Sequence, residues 1–297
     1  MDIRNVIKSR KIRNFLRYSL SFMPDSLYLR IYYFAMNGHM LHLKNPKGYN
    51  EKLQWLKLHD KHPEYSVLVD KYRVRQVIAE KLGEGYLFPL LGHWESFDDI
   101  NFAELPNEFV LKCNHDSGSV KIIHDKSALT PEALRELKEF YDRSMGHDFF
   151  YAGREYPYKG IKPCILAEKL MKDEKEGPAG IKDYKFFCFD GVPKMMFVAT
   201  DRSTDCRFDF FDMDFNHLPI ENIHPNAVRP IQKPALFEEM KEIAAKLSQG
   251  MRHVRIDLYE LNGKIYFGEY TFFHGGGFCL FGPEEWEQKL GSWIDLT

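Results

Sequence analysis

Two acidic residues, Asp257 and Glu269, lie on either side of the turn-forming pair Asn262–Gly263. Residues 253–272 alternate apolar and polar side chains around that pair, which predicts a β-hairpin. Two carboxylates held together on a hairpin repel one another unless a cation lies between them, and oxygen ligands suit Mg²⁺. The hairpin is therefore a candidate metal site. The alternative is that both acids are exposed strand residues without a ligand.

The register of this hairpin decides whether the two acids share a face. A two-residue turn at Asn262–Gly263 pairs Asp257 with Gly268. The same register pairs Ile256 with Glu269, which puts the acids on opposite faces. A bulge, or one more residue in the loop, would bring both onto one face.

A lysine and a glycine/serine loop follow one another in VLKCNHDSGSVKI. Lys112 leaves a predicted buried strand, and His115–Ser119 form the loop before a second strand. An ammonium group and the backbone N–H groups of such a loop can surround a phosphate. The spacing is not that of a Walker A loop. His115 is a candidate phosphate ligand or base, or simply a polar loop residue.

Further charged residues accompany the hairpin predicted for 183–201. Asp183 and Lys185 lie on its first strand, and Asp201 and Arg202 come at the end of the second. Arginine can bind a substrate carboxylate through two parallel hydrogen bonds. Structural ion pairs would explain each of these residues equally well.

The composition limits the class of protein. The 297 residues are 44% hydrophobic and 15% aromatic, which indicates a well-packed globular chain. A net charge of −2 argues against nucleic-acid binding. No apolar run reaches the roughly 18 residues of a membrane span, and no signal-peptide core is present, so we expect a cytoplasmic protein. The five cysteines form no Cys-x-x-Cys pair, which indicates neither a zinc ribbon nor a disulfide framework.

The N-terminal 35 residues are basic and rich in aromatic side chains. Their Lys and Arg residues are Arg4, Lys8, Arg10, Lys11, Arg13, Arg17 and Arg30, against Asp2 and Asp25. The pattern predicts an amphipathic helix that contacts the inner face of a membrane or an anionic glycan. The alternative is a solvated helix face packed on the protein body.

The rest of the chain predicts mixed helices and strands. A short helix capped by Asn50 follows the turn at 45–48. The hairpin of 183–201 turns at Asp190–Gly191. The other predicted elements are helices over 69–83, 131–146 and 235–248, a strand and loop over 85–97, and strands over 108–114, 120–125 and 164–171. Several hairpins and no regular βαβ alternation indicate the α+β class.

The order of these features resembles the ATP-grasp superfamily. A DK pair opening a helix, VLK with a Gly/Ser loop, AEKL, R-x-D and E-x-T follow one another over 69–282, as in D-alanine–D-alanine ligases. The TupA-like branch, named for teichuronopeptide biosynthesis, is similar over nearly the whole chain, through NPKGYNEKLQW, FVLKCNHDSGS and VRIDLYELNGKIYFGEYTFF.

This resemblance implies an ATP-grasp fold, in which two α+β lobes hold the nucleotide and a helical N-terminal extension precedes them. The implied regions are 1–68, the helical N-terminal region; 69–107, the linker and start of the ATP-grasp part; 108–170, the central lobe; and 171–297, the C-terminal lobe.

The resemblance also implies roles for the matching residues. ATP would be bound by Lys71, Lys112, His115, Ser117, Gly118, Ser119 and Lys185, its adenine by Glu168, Lys169 and Leu170, and its ribose by Glu174 or Glu176. Mg²⁺ would be bound by Asp257, Glu269 and Thr271, the last replacing the usual Asn. Arg255 and Lys112 would act in catalysis, and Arg202, Gly275 and Gly276 would bind substrate.

The implied activity is an ATP-dependent carboxylate–amine ligase that forms an amide through an acyl phosphate. The acid would be a uronic acid on a sugar nucleotide or glycan in bacterial capsule or exopolysaccharide biosynthesis, and the amine an amino acid or amino alcohol. A metal-dependent glycosyltransferase is the alternative, and Asp212-Met213-Asp214 has the spacing of its metal motif. A non-catalytic nucleotide- or glycan-binding module is a third interpretation.

Overall fold

The computed structural model describes residues 18–173, 181–202 and 204–297. The α-helices are α1 (Asp25–Asn37), α2 (Tyr49–His59), α3 (Tyr65–Val69), α4 (Val74–Leu82), α5 (Pro131–Met145), α6 (Phe150–Gly153), α7 (Phe237–Ser248) and α8 (Glu284–Ser292). The strands are β1 (Leu90–Trp94), β2 (Phe109–Cys113), β3 (Lys121–Ile123), β4 (Ile165–Lys169), β5 (Asp183–Phe189), β6 (Val192–Thr200), β7 (Arg207–Phe211), β8 (His217–Leu218), β9 (His253–Leu261) and β10 (Lys264–Thr271). Helices with two antiparallel sheets confirm the predicted α+β class.

The described residues divide into two compact units. The six-stranded unit comprises the described parts of Met1–Lys61, Tyr151–Tyr156 and Asp173–Thr297. The four-stranded unit comprises His62–Phe150 and Pro157–Lys172.

The four-stranded unit is built on the sheet β1-β4-β2-β3. Along β2, Phe109 and Leu111 are fully buried against a core that includes Tyr141 of α5. Lys112, the next residue along β2, faces the other side of the sheet, because successive strand side chains alternate between faces. Thr130 caps α5 by accepting a hydrogen bond from the Ala133 N–H. The apolar face of the sheet therefore packs against the core, and the opposite face carries polar residues.

The six-stranded unit is built on the sheet β10-β9-β5-β6-β7-β8. Both predicted hairpin turns are confirmed. Asp190 and Gly191, and likewise Asn262 and Gly263, have left-handed φ angles between 49° and 77°, as a two-residue turn matching the strand twist requires.

One face of this sheet is apolar and is covered by α7. On β5, Phe186 packs against Phe237 of α7, and the Cys188 thiol donates to the Ala244 carbonyl. Asp183 and Lys185 alternate with these residues and therefore face the opposite side. The alternation concentrates the polar residues of the unit on one sheet face.

Helix α2 begins differently from the prediction. Its N-cap is Gly48, and the Glu51 carboxylate accepts from the backbone N–H groups of Lys47 and Gly48 at 3.0 and 3.4 Å. The prediction of Asn50 as the cap was wrong. Asn50 lies within the helix, where its side-chain amide donates to Glu287 of α8 at 2.8 Å. Asn50 donates to the buried Glu287 carboxylate instead of capping the helix, because a buried carboxylate requires hydrogen-bond donors.

A buried histidine makes the stability of the six-stranded unit sensitive to acid. The His253 Nδ1 donates to the Phe272 carbonyl and its Nε2 accepts from the Tyr49 hydroxyl, both at 3.0 Å. Burial lowers the pKa of His253 to about 3. Between the usual value of about 6.5 and that value, the unfolded chain binds a proton that the folded chain does not, so stability is lost as the pH falls.

We therefore expect His253→Gln to flatten the acid limb of the stability profile. From about pH 6.5 to about pH 5, the wild type should lose roughly 2 kcal/mol more unfolding free energy than the variant. Urea unfolding at several pH values measures this difference. The exposed His124 provides the control, since His124→Gln should keep the wild-type slope; equal slopes for His253→Gln and wild type would contradict the assignment.

No described helix is long and apolar enough to cross a bilayer. The basic residues from Arg4 to Arg17 and the ribose candidates Glu174 and Glu176 lie outside the described residues.

Candidate active site

A bulge in the β9–β10 hairpin brings Asp257 and Glu269 opposite one another. The pairing follows the simple register from the turn to Phe267, which lies opposite Leu258. It then shifts by one residue at Gly268, so that Glu269 pairs with Asp257. The bulge was one of the two irregularities that the metal-site interpretation required. Both carboxylates now belong to the same sheet face.

Gly268 is the residue that permits this bulge. An added Cβ would lie 2.9 Å from both the Asp257 carbonyl oxygen and the Tyr259 ring. The Asp257 carbonyl belongs to the backbone of β9, so it cannot move without disturbing the strand pairing. The glycine is therefore required by the close approach of β9.

Gly268→Ala is expected to lower the unfolding free energy by about 1–3 kcal/mol, because the methyl group overpacks the hairpin. The variant should also lose most of the catalytic activity, since the register of Glu269 depends on the bulge. Urea unfolding measures the change in stability, and a steady-state activity assay measures the loss of activity. Gly146→Ala is the control, as Gly146 has an ordinary φ of −73°; an unchanged Gly268→Ala protein would show that the bulge has no such role.

Asp257 is fully buried between two cations. The Arg255 guanidinium binds it in a bidentate manner, with Nε and Nη2 at 2.7 and 2.8 Å from the two carboxylate oxygens. The Lys185 ammonium also donates to it. Burial opposes ionisation, but the charges of Arg255 and Lys185 outweigh it and lower the pKa of Asp257 to about 2. Asp257 is therefore ionised throughout the neutral pH range.

Asp183 extends this charge cluster along β5. Its carboxylate lies 2.6 Å from the Lys185 ammonium and 3.2 Å from the Arg202 guanidinium. The charge of Asp183 raises the pKa of Arg202. Among the described residues, nothing donates to the other carboxylate oxygen of Asp183, although it is buried. Such an oxygen can accept a ligand donor or a cation.

Arg255 also belongs to a buried hydrogen-bond network that was not predicted from the sequence. Its Nη1 donates to His274 Nδ1 at 2.6 Å, and its Nη2 donates to the Thr271 hydroxyl at 3.0 Å. The His274 Nε2–H donates to the Asn222 side-chain oxygen at 2.8 Å. Burial and the charge of Arg255 lower the pKa of His274 far below its usual range. The neutral imidazole thus fixes the guanidinium in place.

The glycine turn after His274 is held from α2. Gly275, Gly276 and Gly277 all have left-handed φ angles, from 57° to 67°, which favour glycine. The buried Lys57 ammonium donates to the Gly276 carbonyl at 2.6 Å, and the Gln54 amide donates to the Gly277 carbonyl. These contacts fix the orientation of the turn that we predicted to bind substrate.

The donor atoms on this face fit Mg²⁺ in their chemistry. Asp257, Glu269 and Thr271 present carboxylate and hydroxyl oxygens, and the Thr271 hydroxyl lies 3.4 Å from a Glu269 carboxylate oxygen. The described residues contain no group of three or more His, Cys, Asp or Glu side chains arranged as a metal site. Any metal here would therefore depend on two carboxylates, with the Asp183 oxygen nearby in the same cluster.

The four-stranded unit holds a second polar cluster on the sheet face opposite its apolar core. The Lys112 ammonium lies 2.6 Å from Glu168, and the Arg75 guanidinium lies 3.4 Å from the same carboxylate. The strand register brings Lys112 close to Glu168, because Glu168 of β4 pairs with Val110 and Leu166 of β4 pairs with Lys112. Lys112 and Glu168 are thus diagonal neighbours on one face.

Lys71 and Ser119 shape the loop after β2. The Lys71 ammonium donates to the Asp116 carbonyl, and its backbone N–H donates to the Asn114 carbonyl at 3.0 Å. The Ser119 hydroxyl accepts from the Cys113 N–H at 2.9 Å and donates to the Asp116 carboxylate. In this arrangement both side chains support the loop.

The other loop and hinge candidates differ in their accessibility. Ser117 and Gly118 form the exposed tip, and Gly118 has a φ of 98°. His115 is buried, with Nε2 near the Ser144 carbonyl, and burial lowers the pKa of its ring. In the hinge, the Lys169 side chain is exposed, while its backbone N–H donates to the Pro89 carbonyl. Leu170 is half-buried.

The aspartates of the alternative metal motif lie in a hairpin tip between β7 and β8. Asp212 accepts hydrogen bonds from the backbone N–H groups of Asp214 and Asn216 at 3.0 and 2.8 Å. It therefore closes the turn, and the exposed Asp214 does not join it in a common site.

Comparison with known proteins gives a match to a family model and many distant matches to solved structures. The TupA-like ATPgrasp family model matches residues 51–295. A comparison with curated proteins found no match.

Three solved structures illustrate the distant likeness. The D-alanine–D-alanine ligase of Bacillus anthracis complexed with ATP is 18% identical, with a TM-score of 0.40 over 69% of this chain and 54% of that one. The Helicobacter pylori enzyme is 15% identical, with a TM-score of 0.40 over 83% and 69%. The ATP-grasp ligase PsnB complexed with its minimal precursor is 12% identical, with a TM-score of 0.39 over 75% and 58%.

The chain thus spans only about half of the first of these proteins, and the family assignment depends on the family model alone. That model covers most of the sequence, including the Lys112 loop, Glu168 and the β9–β10 hairpin. The chain belongs to the TupA-like ATP-grasp family.

Proposed function

We propose that the chain is an ATP-dependent ligase that joins a carboxylate to an amine. The observation that carries this proposal is the bulged hairpin, which places Asp257 and Glu269 opposite one another beside Lys185 and Arg255. An anionic pair surrounded by cations is suited to a phosphoryl group and its counterion. Membership of the ATP-grasp family supports ATP as the nucleotide.

The first step activates the acid. A carboxylate oxygen of the substrate attacks the γ-phosphorus of ATP, the bond to the bridging oxygen breaks, and ADP leaves with that electron pair. The product is an acyl phosphate. Lys112, Lys71 and Lys185 offset negative charge on the phosphates. Mg²⁺, held by Asp257, Glu269 and Thr271, would supply further charge neutralisation.

The second step forms the amide. The amine attacks the acyl carbon, inorganic phosphate leaves, and the amine nitrogen loses a proton. The developing oxyanion requires fixed hydrogen-bond donors, because preorganised donors stabilise it without reorganisation. Arg255, held in place by Asp257 and His274, and the N–H groups of Gly275 and Gly276 are our candidates for that role.

We infer that the acid is a uronic acid on a sugar nucleotide or a growing glycan, and that the amine is an amino acid or amino alcohol. The resemblance to the branch named for teichuronopeptide biosynthesis supports this substrate class and a capsule or exopolysaccharide pathway. Arg202 is the candidate for binding a substrate carboxylate, since its side chain is about half exposed. We infer that the activity is cytoplasmic, because ATP and sugar nucleotides are cytoplasmic substrates.

A matrix of candidate acids and amines tests the proposal. We expect ADP release that requires both a uronic acid and an amine, and ¹⁸O transfer from the labelled carboxylate to the released phosphate. ADP release without label transfer would exclude the acyl phosphate. Sugar-nucleotide cleavage without ADP release would instead support the glycosyltransferase alternative.

A further inference from the structure

The Arg255 guanidinium retains one N–H group that no described residue accepts. A guanidinium carries five N–H groups in one plane. Nε and Nη2 donate to Asp257 at 2.7 and 2.8 Å, and Nη2 also donates to the Thr271 hydroxyl at 3.0 Å. Nη1 donates once, to His274 Nδ1 at 2.6 Å. Since the group is planar, the acceptor on His274 fixes the direction of the second N–H of Nη1.

His274 can accept from Arg255 in only one tautomer. Arginine nitrogens donate and never accept, so the Nδ1 atom of His274 must carry no proton. The proton of the neutral ring then lies on Nε2, which is 2.8 Å from the Oδ1 atom of Asn222. In histidine, the hydrogen bond of one ring nitrogen determines the state of the other. The contact with Asn222 therefore bears on the contact with Arg255.

Asn222 is oriented so that its oxygen, and not its amide nitrogen, faces His274. Its Nδ2 atom donates to the carbonyls of Cys279 and Leu280 at 2.9 and 3.0 Å. Carbonyls only accept, so a flipped amide would place its oxygen against both of them. The residue is 3% exposed, and polar groups left unpaired in a buried position are destabilising. The carbonyls of 279–280 thus determine which atom His274 meets.

The backbone also restrains the position of Asn222. The preceding Glu221 exchanges two backbone hydrogen bonds with Gly282, at 2.8 and 2.9 Å. The Asn222 carbonyl accepts from the His224 N–H at 2.6 Å. Between them, Ile223 has a left-handed φ of 58°, a conformation that β-branched residues adopt only when the surrounding structure imposes it. Asn222 is therefore a fixed point of the network.

We propose that Asn222 is a positioning residue of the active site. It would select the Nε2–H tautomer of His274, and His274 would in turn keep the remaining N–H of Arg255 Nη1 directed at the acyl oxygen. A donor fixed in advance stabilises the oxyanion without reorganisation. The inference rests on the proposed function, which gives Arg255 this role. Asn222 itself would contact neither ATP nor the substrates.

The tautomer is tested without substrates by ¹⁵N NMR of the full chain labelled at histidine. We expect His274 to carry its proton on Nε2, and its signals are identified by their loss in His274→Asn. His253 is the internal reference for the opposite tautomer, since its Nδ1 donates to the Phe272 carbonyl. Asn222→Ala should shift the His274 Nδ1 signal towards the protonated range and leave His253 unchanged. Unchanged His274 signals in Asn222→Ala, or a wild-type proton on Nδ1, would overturn the proposal.

Asn226 provides a matched control. Its Nδ2 atom also donates to two backbone carbonyls, those of Phe208 and Ile220, at 2.7 and 2.9 Å. Among the described residues, it makes no hydrogen bond to His274 or Arg255. Asn226→Ala therefore removes the same kind of support outside the network, and it should keep the wild-type kcat and the wild-type His274 signals.

A double-mutant cycle separates selection of the tautomer from support of the backbone at 279–280. Asn222→Ala should lower kcat for ADP release at least about tenfold, with the KM for ATP changed by less than about twofold. In His274→Asn the side-chain oxygen can accept from Arg255 without a choice of tautomer. Adding Asn222→Ala to His274→Asn should therefore lower kcat by less than about twofold more.

The two measurements distinguish failure of this inference from failure of the proposed function. A further tenfold loss of kcat in the double variant would show that Asn222 only supports the backbone, which would overturn the inference. Absence of ATP turnover by the wild type with every acid and amine would instead contradict the ligase. The NMR signals of His274 would then still decide whether Asn222 selects its tautomer.

Discussion

Asp257→Asn is expected to reduce ADP formation by at least about a thousandfold, because it removes the charge that the proposed metal site and the Arg255–Lys185 cluster share. Asp257 is fully buried and contacts both cations directly. Glu269 does not take its position, since it lies on the neighbouring strand and reaches Arg255 only at 3.6 Å. Asp183 contacts Lys185 and Arg202. Steady-state ADP release measures the effect.

Loss of folding must be separated from loss of chemistry in this variant. Leaving the buried Arg255 without its bidentate partner should cost about 3–5 kcal/mol of unfolding free energy. Glu269→Gln supplies the second variant, because its side chain is 39% exposed; it should lose activity while its stability changes by less than about 1 kcal/mol. Asp212→Asn is the matched control. An inactive Asp212→Asn protein with an active Glu269→Gln protein would favour the glycosyltransferase alternative.

Lys112→Met should weaken ATP binding by at least about tenfold and slow turnover by about a hundredfold, since it removes a cation proposed to contact the phosphates. The fold should survive, because Glu168 keeps Arg75 as a partner at 3.4 Å. Calorimetric titration of ATP and steady-state kinetics measure the two effects.

Lys121→Met provides the control for Lys112→Met. Lys121 lies on the adjacent strand β3 and is exposed, with its ammonium 4.5 Å from the centre of the Phe140 ring. It should retain wild-type affinity for ATP. If both lysine variants bind ATP as the wild type does, Lys112 is not a phosphate ligand.

The elements around the site follow closely from local sequence. The Asp190–Gly191 and Asn262–Gly263 turns were predictable because those residue pairs favour the left-handed conformation of a two-residue hairpin. Alternation along β2 and β9 then places Lys112 and Asp257 on faces that can be read from the sequence. Local chemistry therefore accounts for the position of each main candidate residue along its strand.

Other features depend on contacts that are distant in sequence. The shift at Gly268 follows from how closely β9 approaches that residue, and no local pattern distinguishes it from an ordinary strand glycine. The chain from Arg255 through His274 to Asn222 joins three separate segments. Asn50 likewise does not cap α2 as predicted, and its side chain instead donates a hydrogen bond to Glu287, which lies 237 residues away. The sequence contains the His-Gly-Gly-Gly run after β10, but the partner of His274 appears only on folding.

We propose that this chain uses ATP rather than a sugar nucleotide as its energy source. The most direct test is calorimetric titration of the wild-type protein with ATP and with UDP-sugars, in the presence of Mg²⁺. We expect saturable ATP binding that Lys112→Met weakens and Lys121→Met does not, and no comparable heat from UDP-sugars that lack a carboxylate. Binding of a UDP-sugar without binding of ATP would contradict the account.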